Sequence, residues 1–271
     1  MLETTATTDD GTRLAVTVSG EGSPLLLIPG LGATRVVFNP LLPHLTGART
    51  VAVYDQRGVG ASDPVREPFT TATLGDDETA VLAALGWERA AVLGASFGGM
   101  VAQQLAVRHG DALSALVLAA TGPGPRHAAR HSSADATAAL MGRGARTPED
   151  AYRTACTVLY SQRFQEEHPE FIEAQVRERA GRPVAARTFQ AQRRASDEHD
   201  VWDALGSISL PTLVLHGEDD PVMPVDNARL LAEHIPGARL EVLPDAGHLF
   251  FHEEPERSAS LILRFLSEAR A

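Results

Sequence analysis

A serine at position 96 stands in a setting that could turn its hydroxyl into a nucleophile. Residues 94–98 read Gly-Ala-Ser-Phe-Gly, after an apolar run at 90–93 that predicts a strand and before a helix-like segment that begins at Gly98. A serine between a strand and a helix is held in a sharp turn that small neighbours permit, with its hydroxyl near the positive end of the helix. The pentapeptide alone is a weak signal, because it occurs in loops of many kinds. Its position between a predicted strand and a predicted helix is what predicts catalysis.

A nucleophilic serine needs a base to accept its proton and an acid to orient that base. Of the ten histidines, only His248 lies in a loop between the last predicted strand and the terminal helix, where an imidazole can return over the strand ends. We therefore predict His248 as the base. His216 is interpreted as a structural loop residue. The histidines expected to be solvated at helix ends or faces are His44, His109, His234 and His252.

The acid is expected at a strand end between the serine and the histidine. The strand predicted at 212–215 is followed by three carboxylates, on Glu218, Asp219 and Asp220, whereas the strand predicted at 115–119 is followed by none. Asp220 is favoured because the prolines that follow it stiffen the chain, and Asp219 is the alternative.

Negative charge on a carbonyl oxygen under attack needs fixed hydrogen-bond donors. One candidate is the backbone N–H of Phe97, directly after the serine. The other is the N–H of Leu31, because residues 29–32, Pro-Gly-Leu-Gly, follow a predicted strand and are rich enough in glycine to turn that N–H inward. Each such donor typically stabilises a transition state by about 3 kcal/mol.

The elements that must position these residues alternate between strands and helices, which predicts an α/β protein with a mostly parallel central sheet flanked by helices. The predicted strands are 12–19, 24–28, 50–54, 90–93, 115–119, 212–215 and 239–243, and the predicted helices of this part are 76–85, 98–109, 226–234 and 255–269.

Residues 123–200 interrupt this alternation with a stretch that contains no convincing strand. Thr147 before Pro148 is typical of a helix start, and 164–180 reads as one amphipathic helix. We therefore expect a core of residues 1–122 and 201–271 and an inserted helical cap at 123–200.

Composition excludes several classes of function. The net charge is −11 without a basic stripe, and this negative field would repel phosphate backbones and anionic lipids, so neither nucleic acid nor a membrane is expected as a partner. The single cysteine, Cys156, is expected to be buried and excludes a disulfide framework.

No signal peptide or membrane-spanning run is visible, which favours a cytoplasmic protein. Nucleotide glycine motifs are incomplete, and His127 and His131 lack further ligands, so no cofactor and no metal are expected.

Five motifs together resemble one family. They are the segments at 29–32, 55–62, 94–100, 216–220 and 247–248. They are similar to the α/β-hydrolase fold superfamily, and within it to haloperoxidase-like esterases, enol-lactonases and polyketide methylesterases. The resemblance implies Ser96 as nucleophile, Asp220 as acid, His248 as base and the N–H groups of Leu31 and Phe97 as oxyanion hole. Pro29 departs from the histidine that many members carry there.

The function expected from this resemblance is cleavage of a small-molecule, largely apolar carboxylic ester or lactone through an acyl-enzyme. The same three residues would also suit carbon–carbon bond hydrolysis or perhydrolysis, and the same pocket could serve a non-hydrolytic receptor or cyclase. Candidate substrate-binding residues on the cap and the core loops are Met141, Tyr152, Tyr160, Phe164, Met223 and Leu249.

Overall fold

A twisted sheet runs through the centre of the protein. The computed structural model describes residues 1–269 of the 271-residue chain. Within that range the strands are β1 (Leu2–Thr7), β2 (Arg13–Ser19), β3 (Ser23–Ile28), β4 (Arg49–Tyr54), β5 (Ala90–Ala95), β6 (Leu113–Ala119), β7 (Thr212–Gly217) and β8 (Arg239–Leu243).

The strand order across the sheet is β1-β2-β4-β3-β5-β6-β7-β8. β1 pairs antiparallel with β2, β2 pairs antiparallel with β4, and all pairs from β4 to β8 are parallel. The carboxyl ends of β3, β5, β7 and β8 therefore lie along one edge, so the loops that follow them meet there. This confirms the predicted α/β class and mostly parallel sheet.

Helices cover both faces of the sheet. Among residues 1–269 they are α1 (Leu42–Leu45), α2 (Thr71–Ala84), α3 (Phe97–Arg108), α4 (Ala134–Leu140), α5 (Pro148–Leu159), α6 (Gln162–Glu167), α7 (Pro169–Ala180), α8 (Ala186–Asp197), α9 (Trp202–Leu205), α10 (Asp226–His234), α11 (Phe250–Glu253) and α12 (Pro255–Glu268). In this part of the chain no helix has both the length and the apolar character needed to cross a membrane.

Alternate residues of β3 feed the two halves of the core, as the two-residue period of a strand requires. Leu25 and Leu27 belong to a buried cluster with Phe265 of α12, while Leu26 and Ile28 belong to a second cluster with Leu231 of α10. Because both faces are apolar, β3 reads as a continuous hydrophobic run in the sequence.

Each predicted strand is present, and the structure adds β1. This strand is rich in threonine and mostly exposed, and within residues 1–269 it pairs only with β2, at the edge of the sheet. Its residues do not form an apolar run, so the pattern that marks the buried strands is missing.

The single helix predicted over 164–180 is wrong. The chain forms α6 and α7, with His168 between them at φ −130° and ψ 48°. Pro169 begins α7 because proline lacks an N–H and its ring clashes with the preceding turn inside a helix. The start predicted at Thr147 is confirmed, since its hydroxyl accepts a hydrogen bond from the N–H of Asp150 at 3.1 Å.

Candidate active site

Ser96 lies at the turn between β5 and α3 in a strained backbone conformation. Its φ is 55° and its ψ is −120°, a region that non-glycine residues rarely adopt. The turn is tied to the neighbouring strand β6, because the N–H of Ser96 donates to the carbonyl of Ala119 at 2.8 Å. The carbonyl of Ser96 accepts from the Gly99 N–H at 2.8 Å and from the Thr121 hydroxyl at 2.7 Å.

The glycines on either side of Ser96 are required by close backbone contacts. A Cβ atom on Gly98 would lie 2.2 Å from the carbonyl oxygen of Ile28, and one on Gly94 would lie 2.2 Å from the carbonyl oxygen of Gly98. Neither position can therefore carry a side chain without moving the main chain. The spacing Gly-x-Ser-x-Gly follows from the packing of α3 against the ends of β3 and β5.

Asp220 and His248 form a buried pair on the loops that follow β7 and β8. The Nδ1 atom of His248 lies 2.7 Å from Oδ2 of Asp220. His248 is only 3% exposed and Asp220 only 4%. A carboxylate at Nδ1 fixes the ring so that Nε2 is the nitrogen available for proton transfer.

The other contacts of Asp220 hold it as an anion. Its Oδ1 accepts hydrogen bonds from the N–H groups of Val222 and Met223, both at 2.8 Å, and Nε2 of His216 lies 3.3 Å from Oδ2. Burial alone would raise the pKa of Asp220, but the charge of His248 and the hydrogen bonds from both histidines outweigh burial and lower it to about 2. Asp219, the alternative acid, is exposed.

Ser96 and His248 border the same cavity, of about 160 Å³, at the edge where the strand ends meet. No hydrogen bond joins their side chains among residues 1–269, and Nε2 of His248 has no protein partner in that range. Contacts between a nucleophile and its base are often looser before substrate binds. The structure thus brings the two side chains to one cavity wall without a direct bond.

The loop after β3 closes another side of this cavity. Leu31 lines the cavity, and among the described residues neither its N–H nor that of Phe97 donates to a protein acceptor. Phe97 itself is the first residue of α3, and its buried ring packs in the core instead of lining the cavity. Both N–H groups are therefore left for a ligand or water.

A glutamine of the inserted helices fixes this loop. Oε1 of Gln192 accepts the N–H of Gly32 at 2.8 Å, and Nε2 of Gln192 donates to Oε1 of Gln56 at 2.6 Å. Gln56 in turn donates to the carbonyl of Pro29 at 3.1 Å. Gln192 and Gln56 are buried, so both ends of the loop are held by satisfied hydrogen bonds. Gln56 belongs to the motif at 55–62, which follows β4. Gln192 was not predicted, because an amide in a helix carries no pattern of its own.

The cavity lining includes only part of the predicted substrate-binding set. Tyr152 and Leu249 border the cavity, together with Leu140 and Leu159 of the insertion. Arg179 and Phe189 of α7 and α8 also line it and were not predicted.

The remaining four predicted residues lie elsewhere. Tyr160 and Phe164 stack on each other, with ring centroids 5.5 Å apart, in the buried contact between insertion and core. Met223 borders a neighbouring cavity, and its backbone supports Asp220. Met141 is 36% exposed and contacts Arg193. Tyr160, Phe164 and Met223 thus pack against the core, and Met141 lies at the surface.

His252 is buried, so the expectation that it is solvated is wrong. Its Nδ1 atom is 2.9 Å from the hydroxyl of Tyr160, and its Nε2 atom is 2.6 Å from the carbonyl of Val37. Burial lowers the pKa of His252 to about 4, although the bond to Val37 acts in the opposite direction. The neutral ring thus links the insertion to the core.

Two further hydrogen-bond systems join the insertion to the loop that carries His248. The N–H of Leu249 donates to the carbonyl of Leu159 at 2.8 Å. The carboxylate of Glu253 accepts from the N–H of Gly247 at 3.1 Å and from the N–H and hydroxyl of Ser161 at 2.8 and 2.6 Å. On this side of the cavity the insertion is therefore fixed to the core.

Comparison with known proteins gives a consistent result. Residues 23–255 match the family described as the alpha/beta hydrolase fold. A poly(3-hydroxyalkanoate) depolymerase from Ectopseudomonas oleovorans is 32% identical over 92% of this chain and 86% of its own length. 3-Oxoadipate enol-lactonase 1 from Acinetobacter baylyi is 28% identical over 96% of this chain and 95% of its own length.

A solved structure of a thermophilic esterase from Thermogutta terrifontis superposes with a TM-score of 0.84 at 28% identity and covers 100% of both chains. The resemblance that the five sequence motifs indicate is thereby confirmed. With its parallel sheet and the match over most of its length, the chain belongs to the α/β-hydrolase fold family.

Proposed function

We propose that the protein is a serine hydrolase that cleaves a small-molecule carboxylic ester or lactone through an acyl-enzyme on Ser96. The observation that carries the proposal is the buried 2.7 Å pair of Asp220 and His248 facing the cavity that Ser96 borders. A serine in a left-handed turn at the end of a strand, opposite an oriented imidazole, suits attack on a carbonyl carbon.

The mechanism uses each group once in acylation and once in deacylation. His248 takes the proton of Ser96 as the hydroxyl attacks the carbonyl, and the N–H groups of Leu31 and Phe97 stabilise the oxyanion. His248 then protonates the leaving alcohol. Water, deprotonated by the same imidazole, attacks the acyl carbonyl, and His248 returns the proton to the Ser96 oxygen as the acid is released. Asp220 remains an anion and stabilises the imidazolium.

The cavity supports a small acyl substrate. Apolar residues such as Leu159, Leu249 and Phe251 line it, and we propose that residues 123–200 act as a cap over it. The names of the similar enol-lactonase and esterase fit cleavage of a lactone or an ester.

The test is turnover of p-nitrophenyl butyrate and of a simple lactone by the wild type and by Ser96→Ala. The proposal expects hydrolysis by the wild type, and a loss of several orders of magnitude in kcat for a variant that remains folded. Ser114→Ala, an exposed serine on β6, serves as the matched control. Full activity of Ser96→Ala would overturn the proposal. Turnover of a 1,3-diketone but no ester would replace it by carbon–carbon bond hydrolysis.

A further inference from the structure

Arg179 brings a positive charge to the cavity of the proposed active site. It lies in the last turn of α7, within the insertion, and lines the same cavity as Ser96. Its Nη2 atom is close to the loop after β3, since a Cβ atom on Gly32 would lie 3.0 Å from it. The guanidinium is therefore beside the loop that carries the Leu31 N–H.

This charge has no acidic partner in the described chain. Among residues 1–269 no carboxylate forms an ion pair with Arg179, and its hydrogen bond is a long one, 3.4 Å, to the carbonyl of Arg182. The guanidinium carbon is 6.0 Å from the centre of the Tyr152 ring, which is a weak contact. Glu178 also borders the cavity, but within residues 1–269 it forms no ion pair with Arg179.

The surroundings make an unpaired cation costly. Arg179 is half-buried, and burial lowers its pKa although the nearby Tyr152 raises it. A guanidinium is always charged at neutral pH and offers parallel N–H donors that match a carboxylate. The chain contains no lysine, and most of its other arginines within residues 1–269 pair with Asp or Glu, as Arg153 does with Glu173 at 2.8 Å.

We infer that Arg179 is a binding subsite for a free carboxylate, so that the preferred substrate is an ester or lactone bearing a second, ionised carboxyl group. This inference rests on the proposed function for the identity of the reacting bond. The apolar walls bind the chain between the two carbonyl groups, and the guanidinium fork binds the distal carboxylate. Arg179 thereby determines specificity.

The kinetic test compares two esters that share a six-carbon acyl chain, mono-p-nitrophenyl adipate and p-nitrophenyl hexanoate. The ratio of their kcat/KM values should favour the adipate ester in the wild type and should fall roughly 10- to 100-fold in Arg179→Met, as expected for loss of a hydrogen-bonded charge. Arg179→Lys should give an intermediate ratio. Arg177→Met, an exposed arginine of the same helix, should keep the wild-type ratio.

A second test does not depend on turnover. Adipate itself should bind the wild type and Arg177→Met equally in calorimetry, and Arg179→Met at least about tenfold more weakly. If neither ester is cleaved but adipate binding depends on Arg179, the hydrolase proposal fails and the subsite stands. If both esters are cleaved, and Arg179→Met changes neither the ratio nor the Kd for adipate, the subsite is overturned and the hydrolase proposal stands.

Discussion

The side-chain oxygen of Gln192 accepts a hydrogen bond from the backbone N–H of Gly32 at 2.8 Å, across 160 residues of sequence. Gln192 belongs to α8 of the insertion, and Gly32 ends the loop that carries the Leu31 N–H. Because Gln192 is buried, this bond is shielded from water. Helix α8 thus helps to place a proposed oxyanion donor.

Replacement of Gln192 by Leu should lower kcat at least about tenfold while KM changes little, because a misplaced donor weakens binding of the transition state more than of the substrate. The free energy of unfolding should fall by about 1–3 kcal/mol, since the partners on Gly32 and Gln56 lose their hydrogen bonds. Steady-state kinetics and urea denaturation measure both effects.

The matched control is Gln190→Leu, an exposed glutamine of the same helix. It should behave as the wild type in both measurements. A Gln192→Leu variant with unchanged kcat would show that the loop after β3 holds its conformation without the insertion.

Asp220→Asn should lower kcat/KM on the order of 10⁴-fold, because the amide favours the wrong tautomer of His248. The fold should persist, since the amide oxygen can still accept from Val222 and Met223. Asp219→Asn, at the exposed neighbouring position, should keep wild-type kinetics. The reverse result would transfer the role of the acid to Asp219.

The buried His252 should make stability depend on pH. Its folded pKa of about 4 lies below its ordinary value of 6.5, so the unfolded chain binds a proton first as pH falls. The contribution of the neutral ring is complete above pH 6.5 and is lost as pH falls toward 4. Where only the unfolded state is protonated, the slope is about 1.4 kcal/mol per pH unit for each such histidine.

Urea denaturation at several pH values between 6.5 and 4 should therefore show a shallower fall for His252→Gln than for the wild type. Part of the fall should remain, because burial lowers the pKa of His199 to about 4 as well. Parallel curves for the two proteins would contradict a buried, neutral His252.

Cys156 should be inert in the folded protein. It is 2% exposed, and burial raises its pKa to about 12, so little reactive thiolate is present near neutral pH. An aromatic disulfide reagent should release no chromophore from the native protein and one equivalent after unfolding in guanidinium. Rapid reaction of the native protein would show that α5 separates from the core.

The residues on the strand ends were predictable because backbone requirements leave marks in a sequence. Gly94 and Gly98 are required by main-chain contacts, and the buried strands appear as apolar runs. The strands β7 and β8 could be located in the sequence, and the loops after them were therefore expected to carry the acid and the base. Asp220 could be preferred over Asp219 because Pro221, the next residue, restricts the backbone beside it.

The cavity lining was harder to predict because apolar side chains in the insertion serve two purposes. Tyr152 borders the cavity, but Tyr160, eight positions further along, is buried against His252. Both are aromatic residues on the same stretch of chain, and the sequence does not show which of them faces the cavity. That depends on how α5 and α6 pack. The sequence does not distinguish Arg179 from the other helical arginines. Only the three-dimensional structure shows that it lines the cavity without an acidic partner among residues 1–269.

The most direct test of Ser96 as the nucleophile is covalent labelling of the wild type with a fluorophosphonate, followed by intact-mass and peptide mass spectrometry. We expect one adduct per chain, located on Ser96, with loss of esterase activity in proportion to labelling and no adduct on Ser96→Ala. Failure to label the wild type, or an equal adduct on Ser96→Ala, would contradict the assignment of Ser96 as the nucleophile.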